Sequence, residues 1–485
     1  MRNIKIAGRY EELSVLQRVI SSPDPEFVAV YGRRRVGKTY LIREFFGEMI
    51  CFEISGMYNA TLASQLSNFS RALGKSAGMV IQPQQPTTWT EAFQQLESFL
   101  ESPAQKEKSG KQVIFLDELP WLNTARSKFL PAFEHFWNTY CSRQNNLVLI
   151  VCGSAASWMI QNIVRSRGGL HNRLTRQIRL LPFTLTETEE FLLKRNVNLT
   201  RFQIIELYMV MGGVPFYLTQ AEPGLSAAQI IDKVCFTKTG LLRYEYEKLY
   251  ASLFENSELH LKIVALLVQK NIGLTRNELV SAAKATTGGS LTRVLEELEE
   301  SGFIEARTPF GKNINDSLYR ISDEFTLFYF EWLKTLGKRN PGEGYWLSKQ
   351  SDPKRKVWSG YAFESICLKH VQKMKAALGI AMVETTDAPW RYQTNAKSQY
   401  PGAQIDLLID RRDATINICE MKFSQSEFTI DSAYAKELRQ KTDVFRNVTG
   451  TKKNLFLTMV TTYGVSNNMY AKEHVTNSLT IDNLF

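Results

Sequence analysis

Phe27-Val28-Ala29-Val30-Tyr31-Gly32-Arg33-Arg34-Arg35-Val36-Gly37-Lys38-Thr39-Tyr40 decides how the first third of this chain folds. The run from Phe27 to Tyr31 reads as a short buried strand, and Tyr40 to Phe46 has helical character. Between them stands the spacing GxxxxGK[ST], which needs a strand before it and a helix after it. Gly32 and Gly37 let the backbone N–H groups of Arg33, Arg34, Arg35 and Val36 curl around a phosphate. Lys38 reaches the β and γ oxygens, Thr39 offers a hydroxyl to Mg²⁺, and the helix start at Tyr40 adds its positive dipole end. The side chains of Arg33 to Arg35 are read as solvent-facing charge or a partner contact.

A second strand supports the first. Gln112-Val113-Ile114-Phe115-Leu116-Asp117-Glu118 is an apolar run ending in two carboxylates, the Walker B form. Asp117 at the strand tip suits Mg²⁺, and Glu118 suits the polarisation of an attacking water, because phosphoryl transfer to water needs an oriented nucleophile. A third strand, Leu147 to Cys152, ends in Gly153-Ser154. Ser154 is either a γ-phosphate sensor or a helix N-cap. Arg173, after the Gly168-Gly169 turn, is either an arginine touching the γ-phosphate, in cis or from a neighbouring subunit, or a surface charge.

Composition bounds the rest. The chain has 485 residues, 44% hydrophobic and 22% charged, a globular profile too long for one core. Its longest apolar stretch, Leu147 to Ile160, is interrupted by Gly153, Ser154 and Ser157 and falls below the roughly 18 residues of a membrane span. The N-terminus MRNIKIAGRYEEL lacks the apolar core of a secretory signal. Six scattered cysteines with no CxxC pair argue against zinc ribbons and disulfide frameworks and fit a reducing cytoplasm. A net charge of +10 hints at a polyanionic partner.

Gly8-Arg9 with Glu11-Glu12-Leu13, then YGRRRVGKTYLI, FLDELPWL, VCGSAASWM, an arginine after a Gly-Gly turn, and Gly212-Gly213-Val214-Pro215 together resemble the archaeal-type ATPase family, a branch of the AAA+/STAND P-loop ATPases. The resemblance covers roughly residues 1–335. It implies an α/β multidomain protein: a P-loop NTPase αβα sandwich at 1–180, a helical lid at 181–250 containing the Gly-Gly segment, and a winged helix at 251–337. It also implies ATP as ligand, Gly8-Arg9 near the base, and Ser154 at the place called sensor 1. A homo-oligomer and a protein partner on the winged helix are further expectations.

The residues of the middle region agree with that order. Thr275-Arg276-Asn277-Glu278 is a capping-box signature. Leu291, Val294, Leu295 and Leu298 repeat at helical spacing. Phe303 to Arg307, a Gly311 turn and Ser317 to Ile321 make a wing-like hairpin. Glu296, Glu297, Glu299 and Glu300 on the third helix would repel phosphates, which leaves Ser290, Thr292, Arg293, Arg307 and Lys312 for a groove and favours a protein contact. Residues 338–356 read as a basic linker.

From 357 to 485 a further α/β unit is expected. Gln404 to Asp410 and Thr415 to Lys422 form a hairpin that sets Asp406 near Glu420 and Lys422, and strand alternation puts 420 and 422 on one face. Carboxylates converging with a lysine suit Mg²⁺ and phosphodiester chemistry. The pattern D-(x13)-E-x-K, with Glu364 on an upstream helix, resembles the PD-(D/E)xK nuclease superfamily, although Ile405 replaces the proline. The resemblance implies a restriction-endonuclease-like domain, with Asp406 and Glu420 as metal ligands and Lys422 and Glu364 completing the site. Lys436, Arg439, Lys441 and Arg446 on the helix that follows are read as a backbone-tracking face or, equally, as ordinary helix surface charge. The expectation is an ATP-controlled, Mg²⁺-dependent nuclease acting on nucleic acid, DNA favoured. The alternative is a STAND-like switch whose C-terminal domain only binds DNA or protein.

Overall fold

The structure, a computed structural model, describes residues 6–79, 83–166, 168–253, 257–270, 273–284, 289–394 and 398–485. The chain divides into two compact units, one ending at Leu181 and the other running from Pro182 to Phe485.

The first unit is built on strands β1 (Glu26–Tyr31), β2 (Ile50–Ser55), β3 (Gln112–Asp117), β4 (Leu147–Gly153) and β5 (Arg176–Arg179), in the order β2-β3-β4-β1-β5 and all parallel. Strand β4 therefore separates the strand that carries the glycine loop from the strand that ends in Asp117. Strands β1, β3 and β4 are buried along their whole length, which a parallel sheet covered on both faces requires. Alternation sorts their side chains into two cores. Phe27, Ala29, Ile114, Leu116, Leu149 and Val151 pack with the helices Leu62–Ser76, Trp89–Leu100 and Phe129–Thr139. Val28, Val30, Val113, Phe115, Val148 and Ile150 pack with Tyr10–Ser21 and Lys38–Phe46.

The second unit opens with helices Leu185–Lys194 and Arg201–Met211. Helices Glu258–Val268, Arg276–Ala283 and Gly289–Glu300 then precede a small sheet of β6 (Leu274–Thr275), β7 (Ile304–Arg307) and β8 (Leu318–Ile321), in the order β6-β8-β7. The capping box forms, with Thr275 and Glu278 each satisfying the other's backbone N–H. The last part is a mixed sheet of β9 (Thr385–Tyr392), β10 (Ala403–Arg411), β11 (Thr415–Lys422), β12 (Asn454–Thr461) and β13 (Asn477–Leu479), in the order β13-β12-β11-β10-β9. β9, β10 and β11 pair antiparallel, and β11, β12 and β13 pair parallel.

One expectation is corrected here. The segments after residue 180 pack on a common core, which runs from Phe183 through Leu298 and Ile366 to Leu484, and the C-terminal sheet has a further core on its other face. Residues 338–356 are not a free linker. Trp346 is 1% exposed and its backbone N–H donates to Asp232 at 2.6 Å, while buried Arg355 pairs with Glu206 at 2.8 Å. The tail is likewise structural, with Leu479, Ile481 and Leu484 buried.

Candidate nucleotide and acid sites

At the C-terminal end of β1 the chain makes the predicted turn into helix Lys38–Phe46. Gly32 has φ +148°, and a Cβ there would stand 2.2 Å from the Leu180 carbonyl oxygen, so the close approach of β5's extension demands glycine. Lys38 is buried, and its Nζ donates to the carbonyls of Gly32 and Arg33, both at 3.0 Å. Burial lowers its pKa. Thr39 Oγ1 donates to Asp117 Oδ2 at 2.9 Å. Burial, with Glu118 adjacent, raises the Asp117 pKa against the opposing Thr39 bond. A hydroxyl and a carboxylate side by side beneath a lysine are hard oxygen donors of the kind Mg²⁺ takes, so these residues fit the ion.

Glu118 sits at φ +47°, and its Oε2 accepts from Ser154 N at 3.0 Å and Ser154 Oγ at 2.8 Å. Ser154 is thus bonded to Glu118 rather than capping a helix with its side chain. Arg9 reaches the loop from the N-terminal helix, donating to the Val36 carbonyl at 3.1 Å. Arg34 and Tyr40 are exposed, but Arg33 is 2% exposed, which corrects its reading as solvent-facing charge. Arg173 is exposed in a turn ahead of β5. Because β5 runs parallel to β1 with Val28 beside Arg176, that turn lies beyond the end of the strands opposite the glycine loop. A cis contact with the γ-phosphate is excluded by this placement.

Residues 7–221 match the family described as an ATPase domain predominantly from Archaea. The chain is similar to an uncharacterized protein of Methanocaldococcus jannaschii, 24% identical over 405 residues, covering 82% of this chain and 83% of that one. Among solved structures it is similar to a Walker-type ATPase of Pyrococcus abyssi, with 18% identity, TM-score 0.49, and 67% and 96% of the two chains covered. It is also similar to the ORC2 protein of Aeropyrum pernix in its ADPNP–ADP complexes, with 14% identity, TM-score 0.42, and 76% and 98% covered.

The second set of predicted residues lies around β10 and β11. The pairing of Leu407 with Cys419 brings Asp406 and Glu420 to facing positions. A register shift between Ile405 and Leu408 re-aims the strand at Asp406, so that Ile405 and Leu408 share one core and Leu407 and Ile409 the other. Glu364, on helix Pro353–Lys369, is held about 7 in pKa by burial, with Asp406 and Glu420 adding to the rise and Arg320 opposing it. The four predicted residues therefore share one electrostatic neighbourhood.

Each of them also has a partner that sequence reasoning missed. Glu420 is 3% exposed and accepts from Lys441 Nζ at 3.0 and 3.1 Å and from the Tyr434 hydroxyl at 3.3 Å. Glu364 Oε1 accepts from Arg320 Nη1 at 3.2 Å, and Asp406 Oδ1 accepts from Gln404 Nε2 at 2.7 Å. Lys422 Nζ stands 4.9 Å from the Tyr434 ring centre. Among the described residues no group of three or more His, Cys, Asp or Glu side chains is arranged to hold a metal ion. As arranged, the carboxylates do not fit a metal: cations bond Glu420 and Glu364, and the Gln404 amide bonds Asp406. Lys441 turns inward and Arg439 pairs with Glu473 at 2.7 Å, while Lys436 and Arg446 on the same helix are exposed. Arg307 is likewise withdrawn from the expected wing surface, tied to Glu305 at 3.0 Å and to the Leu368 carbonyl at 3.0 Å.

Proposed function

We propose that this chain binds and hydrolyses ATP and that its nucleotide state controls a nuclease-like C-terminal site acting on nucleic acid, with DNA the favoured polymer. The observation that carries the ATP half is the Thr39–Asp117 hydrogen bond beneath buried Lys38. Mg²⁺, held there by Thr39 and Asp117, would neutralise charge on the β and γ phosphates. Lys38 exchanges its two loop carbonyls for phosphate oxygens, and the loop N–H groups and the helix start cradle the same anion. Glu118 orients the attacking water, with Ser154 holding its carboxylate until substrate is in place.

The nuclease-like half is supported by the convergence of Glu364, Asp406, Glu420 and Lys422 on one region of a mixed sheet. Helices Glu258–Val268, Arg276–Ala283 and Gly289–Glu300 followed by the β7–β8 hairpin support a winged helix. With Arg307 turned inward and Arg293 bonded to Glu297 at 2.8 Å, that element suits a protein partner better than phosphate. Exposed Arg173 leaves a contact across a homo-oligomer interface as its phosphate-directed role. No helix among the described residues is long and apolar enough to cross a membrane. All six cysteines are free and buried, which supports a cytoplasmic setting.

A second reading, a nucleotide switch with a non-catalytic C-terminal domain, is favoured by one observation: Glu364 and Glu420 are already paired with cations. Cleavage of linear, nicked and single-stranded DNA with Mg²⁺, with and without ATP, separates the two. Cutting that is lost in Lys422→Ala and altered in Lys38→Ala establishes the ATP-controlled nuclease. Absence of cutting in wild type with ATP still bound establishes the switch.

A further inference from the structure

Glu118 holds a left-handed backbone, φ +47° and ψ +49°, which a residue other than glycine keeps only where its surroundings impose it. Two neighbours press on that backbone. The chain leaving β2 runs beside it: the Gly56 N–H donates to the Asp117 carbonyl at 2.9 Å, and a Cβ on Gly56 would stand 2.5 Å from the Glu118 carbonyl oxygen. On the other side the Glu118 carbonyl accepts from the Trp121 N–H at 2.9 Å, within the short helix Leu119–Leu122 that follows.

Gln65, on helix Leu62–Ser76, joins these two neighbours. It is 0% exposed, so its amide must find every partner inside the protein. Nε2 donates to the Met57 carbonyl at 2.7 Å and to the Trp121 carbonyl at 2.9 Å, and Oε1 accepts from the Met57 N–H at 3.2 Å. One side chain thus ties the segment after β2 to the helix after Glu118. Asn68, three residues along on the same helix face, adds a bond from Nδ2 to the Ser55 carbonyl at 2.9 Å. Leu66, Leu119 and Leu122 are buried in one core, so the helix that carries Gln65 is a fixed support for the turn at Glu118.

We propose that Gln65 is a positioning residue for ATP hydrolysis: by tying Met57 to Trp121 it fixes the turn that aims the Glu118 carboxylate at the attacking water. This rests on reading Glu118 as the group that orients that water. The three hydrogen bonds of Gln65 go to Met57 and Trp121, away from the glycine loop and Lys38, so its effect falls on the chemical step and not on nucleotide affinity. Without the tie Glu118 relaxes toward ordinary backbone, and a misplacement of about 1 Å at a reacting group costs on the order of 10²-fold in rate.

The test measures ATP affinity and the kcat of phosphate release on the full chain, in wild type, Gln65→Met, Glu118→Gln and the double variant. Gln65→Met keeps the length of the side chain and removes its three bonds. Its kcat is expected to fall on the order of 10²-fold, with ATP affinity within about twofold of wild type. Added to Glu118→Gln, it should change the remaining rate by less than about twofold, because residues that act through one another do not add. Should Gln65→Met fail to fold, Gln65→Glu, whose carboxylate accepts from the Met57 N–H but donates to neither carbonyl, carries the same expectation. Unchanged kcat in the Gln65 variant, affinity lost in step with kcat, or a full further loss in the double variant overturns the positioning role and leaves ATP hydrolysis standing. Absence of hydrolysis in wild type overturns the ATPase reading, and this role with it.

Discussion

The nucleotide site and the C-terminal acid site use the same ingredients, carboxylates at strand ends with a lysine nearby, and arrange them in opposite ways. At the nucleotide site Lys38 spends its hydrogen bonds on the Gly32 and Arg33 carbonyls, while Asp117 and Glu118 are held by a hydroxyl and by backbone N–H groups. Its acids keep their charge available to a metal. At the C-terminal site Lys441 and Arg320 bond directly to Glu420 and Glu364, so these two acids are paired with cations of the chain itself. Neutral partners preorganise a site for an incoming ion, whereas ionic partners replace that ion.

The largest effect expected from this contrast is at Lys38. Lys38→Ala removes the cation that follows charge developing on the phosphates, and loss of one such contact costs about 10²–10³ in turnover. ATP hydrolysis, followed by phosphate release, should fall by that factor, while Lys422→Ala leaves it at the wild-type rate. A Lys422→Ala variant with equally impaired hydrolysis would break the comparison, because the two sites would then not be separable from the C-terminal side.

Gly32→Ala comes next. Its Cβ would collide with the Leu180 carbonyl at 2.2 Å on a backbone already at φ +148°. We expect a loss of about 3 kcal/mol in urea unfolding of the first unit, together with loss of nucleotide binding. Gly464→Ala is the matching probe in the C-terminal part. That glycine is also at positive φ, but the nearest atom to its Cβ would be 3.8 Å away, so only backbone strain of about 1 kcal/mol is expected.

The same contrast explains what the sequence made legible. The nucleotide site is nearly all local: Gly32 to Thr39 form one loop, and Asp117 and Ser154 end continuous apolar runs, the mark of buried parallel strands. The roles of Ser154 and Arg173 stayed open, that of Ser154 because a sensor and an N-cap look alike in sequence. At the acid site Asp406, Glu420 and Lys422 were visible because alternation places them. The register shift at Asp406 was not, since alternation from Ile405 would put Leu407 on the same face. Arg320, Tyr434 and Lys441 arrive from a hairpin and a helix with no fixed spacing to the acids, so no motif could announce them. The packing of 338–356 was hidden for a similar reason: its lysines and arginines read as linker charge, while Trp346 and Arg355 find buried partners far along the chain.

A smaller effect is expected at His370, where the second unit begins to fold against the helix that carries Glu364. His370 Nε2 accepts from the Leu185 N–H at 3.1 Å, so the proton is on Nδ1, which bonds the Ile366 carbonyl at 2.8 Å. Burial lowers its pKa to about 4, with Lys369 and Lys373 adding to the fall. A histidine whose folded pKa lies below its unfolded value of about 6.5 costs stability as pH falls between the two, because the unfolded chain takes up the proton first. From pH 7 to pH 5 this costs about 2 kcal/mol. His370→Gln, which can accept from Leu185 without titrating, should unfold in urea with a correspondingly flatter pH dependence over that interval. Parallel profiles for the two proteins would show that His370 is protonated in the native state and that the Leu185 bond is not what Nε2 makes.

The smallest effect is expected at Arg173, and its absence is informative. The strand from Phe27 to Tyr31 spans roughly 13 Å, and the turn holding Arg173 precedes β5 at the Phe27 end. The glycine loop follows Tyr31 at the other. Arg173→Ala should therefore leave ATP affinity within about twofold of wild type in dilute protein, where one RT ln 2 is well under 1 kcal/mol. Hydrolysis measured against protein concentration then divides the remaining possibilities. If turnover rises with concentration in wild type but not in Arg173→Ala, the arginine acts on a neighbour's nucleotide, and doping wild type with the variant should lower activity more than in proportion. If both proteins respond alike, Arg173 is surface charge, and each nucleotide site works with the residues of its own chain.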